Sequence, residues 1–486
     1  MLHGPLNTCL LLSLTILMGA AVPVSAQGGP DEGPLTEEDT GIPMPGSGSG
    51  SQLPGEDATI PLPGESVTSS EDLSAAPQVG SGSGLQTRGY VENSLSYEYL
   101  KEASHEALLN GTRIRLDLSG RPSEHVSFSI GVVGLLFAGA KEFDLVGYFP
   151  EDLEQKMVPP DEGSGLPGAA DFFKYGLEND IFIQEAFGTL RGSNFRLRVG
   201  RQKFYMGTGY AYNPIDLFNY KNPLDPTYEV NGLDCVLGVL DLPHQSELQG
   251  LIRFSDRLAT SDYLARVKSN VGGWDVAAQY SDVAKRRIDW ESVNTSEGIS
   301  SLVEGAPFDS FERRFRWRLV AAECSGEISE IGINAEGGYV FADAKGDPGN
   351  LEHVAQDHAR FLVGLDHTWD FELYVMAEYL HLGQGRTGSS EITLNDRVGF
   401  FYGDILSTNR NTLFVGASYP VTDLMDLSLY GIVALNDPSA IVNPWLVVDI
   451  SPGVKLWLTA SVPVGEEQSH NGRSGPGGFC RLRFSF

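Results

Sequence analysis

Arginine recurs at every second position in several short segments of the 486-residue chain. Three of them read GTRIRLDLSG at 111–120, NFRLRVGRQ at 194–202 and FERRFRWRLV at 311–320. Because successive side chains of a β-strand point to opposite faces, this spacing places the arginines on one face and the apolar residues on the other. The guanidinium group stays charged, and its planar fork binds both oxygens of a carboxylate or phosphate. A wall that carries such rows could attract anionic solutes.

Alternation assigns twelve basic residues to the polar face of their strands, namely Arg113, Arg115, Arg196, Arg198, Arg253, Arg266, Lys268, Arg314, Arg316, Arg318, Arg481 and Arg483. The carboxylates that share this face by the same rule are Glu92, Glu98, Asp117, Asp275, Glu336, Asp366 and Glu378. Two interpretations stay open. In the first, the basic side chains line a passage for anions, as rings of Arg and Lys do in anion pores. In the second, they pair with carboxylates of neighbouring strands and only hold a water-filled wall open.

The sequence shows little that could perform catalysis. It contains no HExxH, GxSxG or P-loop motif. Three histidines, His358, His367 and His381, fall on two neighbouring strand-like segments, but they do not share one face with a carboxylate partner. The cysteines beyond residue 26 lie far apart and show no CxxC spacing. We therefore predict no enzymatic activity, no cofactor and no metal site.

The N-terminal region is predicted to stand apart from these rows. Residues 8–22 form an apolar run followed by the small residues Val24-Ser25-Ala26, which predicts a signal peptide over residues 1–26 that is cleaved before Gln27. Residues 27–88 are rich in Gly, Ser and Pro, and the stretch 28–87 has ten carboxylates and no Lys or Arg. Such a segment buries too little apolar surface to offset the entropy of ordering, so we predict a disordered acidic tail.

From residue 89 onwards the chain alternates with a period of two and contains eighteen strand-like segments. They begin near Gly89, Ala107, Val126, Asn179, Asn194, Leu233, Glu247, Ser261, Trp274, Phe311, Ile331, His358, Glu372, Thr412, Leu424, Ala440, Val454 and Gly478. Most of them run for about ten to fourteen residues, which suits a tilted strand that crosses a membrane.

The connections between these segments alternate between tight links, such as RGSN, VGG and SPG, and long ones, such as 144–178, 207–232 and 385–411. Short turns on one rim and long loops on the other are typical of an up-and-down outer-membrane barrel. We therefore predict an all-β fold, a transmembrane antiparallel β-barrel over residues 89–486 with about eighteen strands, and sixteen strands as the alternative. An even number of strands places both chain ends, and with them the acidic tail, on the periplasmic side.

The C-terminal segment GFCRLRFSF resembles the terminal signature of Gram-negative outer-membrane proteins. Its aromatic residues, Phe479, Phe484 and Phe486, are expected at the bilayer interface, while Arg481 and Arg483 point inward. This resemblance supports a location in the bacterial outer membrane.

Residues 200–219 carry a second resemblance. The segment GRQKFYMGTG followed by YNPIDLFN, together with the preceding IQEAFGTL and LRVGRQ, is similar to a motif of Gram-negative barrel porins of the alginate-export type. The similarity covers the barrel region, about residues 88–486. It implies that Arg201, Gln202, Asn213 and Asp216 belong to a loop that shapes a constriction. Arg201 has the parity of Val199, so a bulge at Gly200 is needed to turn its side chain inward.

Together these features predict a porin for passive diffusion of small or extended solutes, with anionic or carbohydrate solutes as the first expectation. The alternatives are a non-conducting structural or surface-binding barrel and an outer-membrane hydrolase. Expected partners are outer-membrane lipid and lipopolysaccharide, the barrel-assembly machinery and a small solute, and a homo-oligomer is left open. The net charge of −30, of which the tail contributes −10, excludes nucleic acid as a partner.

Overall fold

The computed structural model describes residues 84–100, 105–144, 146, 153, 155–159, 168–225, 227, 229–255, 258–401, 403, 405–466, 469–471 and 475–486. The predicted signal peptide and nearly all of the predicted acidic tail lie outside these residues. In the described part, eighteen strands form one antiparallel sheet, which closes because β1 pairs with the last strand, β20. The predicted all-β barrel of about eighteen strands is confirmed.

The strands of the barrel follow one another around the sheet in chain order. They are β1 Gln86–Leu100, β2 His105–Ser123, β3 Val126–Gly139, β6 Asp180–Arg191, β7 Phe195–Gln202, β8 Leu233–Leu242, β9 Ser246–Arg253, β10 Asp262–Val271, β11 Trp274–Ile288, β12 Glu312–Ile328, β13 Ile331–Ala344, β14 His358–Thr368, β15 Tyr374–Leu382, β16 Asn411–Thr422, β17 Met425–Ala434, β18 Ser439–Ser451, β19 Val454–Val464 and β20 Gly477–Ser485. A separate two-stranded hairpin consists of β4 Glu142–Asp144 and β5 Lys174–Gly176. The barrel thus begins at Gln86, slightly before the predicted boundary at residue 89.

Tight turns occupy the rim that also holds the chain ends of the barrel. The two-residue turn Gly272–Gly273 has φ values of 62° and 88°, and Ser329–Glu330 adopts 50° and 68°. Turns with two positive φ values match the right-handed twist of the strands that they join. Glycine adopts this conformation at little steric cost, whereas Ser329 and Glu330 adopt it at a cost that the paired strands must offset.

The opposite rim carries the long connections, three of which pack on one another. Between β11 and β12 lie α1 Trp290–Val293 and α2 Ser296–Val303, and between β15 and β16 lies α3 Leu394–Phe401. Trp290, Ile299 and Val398 form one buried apolar cluster with Phe173 from the connection between β3 and β6. We call this assembly of loops the cap. None of the described helices is long and apolar enough to cross a membrane.

The outer face of the barrel is apolar. On β2, Ile114 and Leu116 are 42% and 48% exposed, and aliphatic side chains are exposed in the same way at alternate positions of the other strands. The intervening Arg113 and Arg115 lie on the inner face, where only about a tenth of each side chain is exposed. An outer belt of this kind is what a bilayer-spanning barrel presents to hydrocarbon.

Candidate functional site

The interior of the barrel is crossed by the connection between β7 and β8, residues 203–232, which we call the inner loop. The backbone N–H of Ala211 donates to Glu378 on β15 at 2.8 Å, and Gln279 on β11 donates to the carbonyl of Ile215 at 2.9 Å. Further along the loop, Asp225 accepts from Arg481 on β20 at 3.0 Å. The loop therefore contacts inward-facing residues on widely separated strands of the wall.

Apolar packing holds the inner loop against β12. Ile215 and Leu217 are fully buried in a cluster with Phe315, Trp317 and Leu319. Burial of one such side chain contributes about 1.5–3 kcal/mol. The inner face of β12 is therefore apolar from Phe315 to Leu319, where the sequence predicted basic residues.

The prediction that Arg314, Arg316 and Arg318 line the interior is wrong. Arg318 is 46% exposed on the outer face and lies 3.8 Å from Asp343, while the exposed Arg314 pairs with Glu312 at 2.7 Å. Arg316 shares the outward parity of these two residues, and it donates to Asp282 and to the carbonyl of Ser261. Alternation is kept along this strand, but contact with the inner loop turns the aromatic face inward.

Two wall carboxylates hold the first half of the inner loop. Glu336 on β13 accepts the backbone N–H of Thr208 at 2.6 Å, and Glu378 accepts the N–H groups of Tyr210 and Ala211. Gly207 has a φ of 97°, and a Cβ at this position would lie 2.4 Å from the Glu336 carboxylate. The loop can approach the wall this closely only with glycine at this position.

Of the four motif residues, Arg201 and Gln202 end β7, and Asn213 and Asp216 lie in the inner loop. Arg201 faces outward and pairs with Asp234 at 2.6 Å, so its predicted inward orientation is wrong even though Gly200 has a positive φ of 124°. The buried Gln202 donates to the carbonyls of Arg198 and Cys235. In the loop, Asp216 accepts the N–H groups of Phe218 and Asn219, and the carbonyl of Asn213 accepts the N–H of Asp216. These bonds give Asn213, Asp216 and Gln202 structural roles in shaping the loop.

A second group of contacts fixes the end of the inner loop to β1 and β2. Glu229 accepts hydrogen bonds from Arg113 at 3.3 Å, Tyr90 at 2.7 Å and Lys203 at 3.1 Å. It also pairs with Arg115, which reaches Glu185 on β6 at 3.1 Å. These arginines meet carboxylates from the loop and the wall, as the second of the two interpretations requires.

The inward arginines of β20 are also paired. Arg481 contacts Asp225 and Thr227 of the inner loop, and Arg483 reaches Glu92 at 2.7 Å. The guanidinium carbon of Arg481 lies 4.3 Å from the centre of the Phe479 ring. Phe479 is buried on the inner face, so its predicted place at the bilayer interface is wrong. Phe484 is exposed on the outer face, as expected.

The remaining predicted residues lie on the inner faces of β7, β9 and β10. Arg266 forms a buried ion pair with Glu323 on β12, and Arg253 pairs with Asp262 beside the Phe218 ring. Near the rim of short turns, Arg196 reaches Asp241 and Glu247 at 3.0 and 3.3 Å. Arg198, which is 9% exposed, lies over the Phe187 ring at 4.7 Å and has no ion pair with any residue that the structure describes.

Buried polar groups connect the loops of the cap with the connection between β13 and β14, which supplies Asn350 and His353. Burial by itself would raise the pKa of Asp289, but hydrogen bonds from Ser292, Asn350 and Asn395 hold it below its ordinary value. At Asp396, burial also acts to raise the pKa, but hydrogen bonds from His353 and Arg386 keep the pKa below its ordinary value. The cap therefore has charged hydrogen-bonded centres as well as an apolar core.

His470, from the connection between β19 and β20, also belongs to the cap. Burial, aided by the charge of Arg397, lowers its pKa to about 3. Its ring contacts the Thr408 hydroxyl, and the carbonyl of His470 accepts a hydrogen bond from Arg397 at 2.9 Å. The imidazole is consequently neutral in the folded loops at neutral pH.

Sequence reasoning missed several interior residues of the described chain. Glu229 lies in a loop, where no period assigns a face, so the sequence held no signal for it. Lys285 and Arg287 share the parity of Asp275, and Arg360 shares that of Asp366, so the alternation already used could have placed them inside. Among the described residues no group of three or more His, Cys, Asp or Glu side chains is arranged to hold a metal ion.

No protein-family model and no curated protein matches the chain. Solved structures with a similar architecture include OccAB4 of Acinetobacter baumannii, at 8% identity and a TM-score of 0.49, over 83% of this chain and 98% of that one. OccD3 of Pseudomonas aeruginosa aligns at 9% identity and a TM-score of 0.45, over 83% and 93%. A mutant porin of Rhodopseudomonas blastica aligns at 12% and 0.41, over 83% and 100%.

These similar structures are outer-membrane porins of Gram-negative bacteria. At such identities and TM-scores the likeness assigns no role to any residue of this chain. The resemblance to the alginate-export type stays a prediction.

Proposed function

We propose that this chain forms a passive channel in the bacterial outer membrane that favours small anionic solutes. The outer belt of aliphatic side chains suits contact with lipid, and the interior carries charged side chains that a hydrocarbon environment would exclude. In this proposal the acidic tail lies in the periplasm, and the chain carries out no enzymatic reaction.

Arg198 is the observation that carries the anion preference. Most inward arginines are neutralised by carboxylates, and these pairs serve the structure of the wall and the inner loop. Arg198 lies on the inner face without an ion pair to any described residue, and the charges that act on it are those of Arg191, Glu185 and Arg196. An unneutralised guanidinium in a narrow aqueous passage attracts anions and repels cations.

Planar-bilayer recordings of the purified full-length protein test this function. In a KCl gradient we expect an ohmic current whose reversal potential shows a preference for chloride. Arg198→Gln should reduce this preference. A folded protein that conducts no current would overturn the channel, and a preference for potassium would overturn the anionic part of the proposal.

A non-conducting structural or surface-binding barrel is the second candidate, and the dense packing of the inner loop favours it. Tyr212 and Ile215 are almost completely buried inside the barrel, and the loop contacts the wall through both apolar and charged groups. If this candidate is right, the wild-type protein will be electrically silent, while a variant that lacks residues 205–230 will conduct.

A further inference from the structure

Three cationic side chains gather around one tryptophan on the inner wall. The Nζ of Lys285 and the guanidinium carbon of Arg287, both on β11, lie 5.8 and 5.5 Å from the centre of the Trp317 ring. The guanidinium carbon of Arg360, on β14, lies 5.9 Å from the same centre. We call these four residues the Trp317 cation cluster.

The barrel itself creates this cluster. Lys285 and Arg287 alternate with the exposed Arg286, and Arg360 lies between the exposed Ala359 and Phe361, so all three cations point inward. The strands β12 and β13 separate β11 from β14, and the three long side chains converge over Trp317 on β12. The Trp317 Nε1 donates to the carbonyl of Val354 at 3.2 Å, which fixes the ring.

Arg360 is the most fully buried cation of the cluster. It is 4% exposed, its Nε is buried without a hydrogen-bond partner, and it forms no ion pair with the described residues. The two acidic groups whose charge acts on it are Glu336 and Asp216, and neither is within ion-pair distance of it. Arg266, by contrast, is equally buried and directly paired with Glu323.

Trp317 attracts cations through its π-face, but the ring is neutral and cannot cancel their charge. Like charges that are buried together repel one another, and an anion placed among them offsets this repulsion. An oxyanion offers at least two acceptor oxygens, and the forked guanidinium binds two of them at once.

We propose that the Trp317 cation cluster is a binding site for an oxyanion group, a carboxylate or a phosphate, of a solute in the interior of the barrel. The site lies beside the inner loop, because Lys285 donates to the carbonyl of Leu217 at 2.7 Å. The claim that a permeating solute binds here rests on the proposed channel function. The claim that an oxyanion binds here does not require the protein to conduct.

Isothermal titration calorimetry on the detergent-solubilised full-length protein tests the site. The probes are inorganic phosphate, glucuronate and, as the uncharged counterpart, glucose. We expect saturable binding of phosphate, glucuronate or both, and none of glucose. Binding of only one anion identifies the oxyanion that the site accepts.

Arg360→Gln should weaken anion binding by about tenfold or more, because it removes a charged hydrogen-bonding fork. Arg286→Gln, one residue from Arg287 on the opposite face, should bind as the wild type does. Arg360→Lys keeps the charge and removes only the fork, so it should weaken binding even if the glutamine variant fails to fold. Heat-dependent gel mobility checks that each variant forms the barrel.

The site is refuted if neither anion binds the wild-type protein, or if Arg360→Gln and Arg360→Lys bind as tightly as the wild type. These results are independent of bilayer conductance. A protein that binds anions but carries no current would overturn the channel and leave the site intact, and the reverse result would overturn only the site.

Discussion

Arg481 in the last strand and Asp225 in the inner loop form an ion pair with an N–O distance of 3.0 Å. Their side chains are 4% and 5% exposed, and the two residues are 256 positions apart in the sequence. The pair connects the strand that closes the barrel to the segment that crosses its interior. Closure of the sheet and placement of the loop are therefore coupled through one buried contact.

Arg481→Gln should lower the free energy of unfolding by about 3–5 kcal/mol, because it leaves Asp225 buried without its charged partner. The double variant Arg481→Met with Asp225→Leu removes both charges and should cost less than the single change. Urea unfolding in lipid vesicles, followed by tryptophan fluorescence, measures both. A double variant that is as unstable as the sum of the two single variants would contradict the predicted coupling.

Glu378→Gln should loosen the first half of the inner loop. The carboxylate accepts two backbone N–H groups of the loop and a side-chain bond from Asn334, whereas an uncharged amide has a single acceptor oxygen. Loss of one charged hydrogen bond costs about 1.5–3 kcal/mol. We expect a noisier and larger single-channel current in planar bilayers. Glu372→Gln, in a tight turn on the rim, is the matched control, and an unchanged current in both variants would refute this role of Glu378.

The loops of the cap should lose stability as the pH falls. The pKa of His470 is about 3 in the folded loops and about 6.5 in an unfolded chain. Because the folded value is the lower one, the contribution of neutral His470 is complete above pH 6.5 and is lost as the pH falls towards 3. Hydrogen exchange of the segment 405–411, corrected for intrinsic rates, should show weaker protection at pH 4 than at pH 7.

His470→Gln keeps a neutral side chain at both pH values, so it should reduce this pH dependence. His367→Gln, on the strand β14 near the tight turns, should leave this pH dependence unchanged. If protection changes equally with pH in the wild type and in His470→Gln, other titrating groups cause the effect and the prediction is wrong.

Arg198 and Arg318 should differ in their effect on ion selectivity. Arg198 faces the interior, whereas Arg318 is exposed on the outer face beside Asp343. Arg198→Gln should shift the reversal potential in a KCl gradient towards a weaker anion preference, and Arg318→Gln should leave it unchanged. A shift of the same size in both variants would show that Arg318 shares the aqueous passage.

Much of the fold could be predicted because it depends on neighbours in the sequence. The eighteen strands begin within a few residues of their predicted starts, and tight and long connections alternate from rim to rim as expected. Period-two alternation and turn composition are local properties, and they are sufficient to count strands and to place connections.

The candidate site could be predicted only in part, because alternation separates two faces without saying which is inner. For Arg113 and Arg115 the aliphatic neighbours turned outward, as expected for lipid contact. On β12 the same pattern predicted the opposite of the true arrangement, because Phe315, Trp317 and Leu319 find an apolar partner inside, in Ile215 and Leu217.

The local pattern of the chain was thus enough to establish an antiparallel barrel with an apolar outer belt and charged rows on its strands. The path of the inner loop, the carboxylates that neutralise most arginines, and the isolation of Arg198 and Arg360 depend on contacts between residues far apart in sequence. Such contacts are decided by which surfaces meet when the sheet closes. A guanidinium that has a carboxylate beside it stabilises the structure, whereas one without a carboxylate can bind an anion. Only the tertiary structure determines which of these neighbours an arginine has.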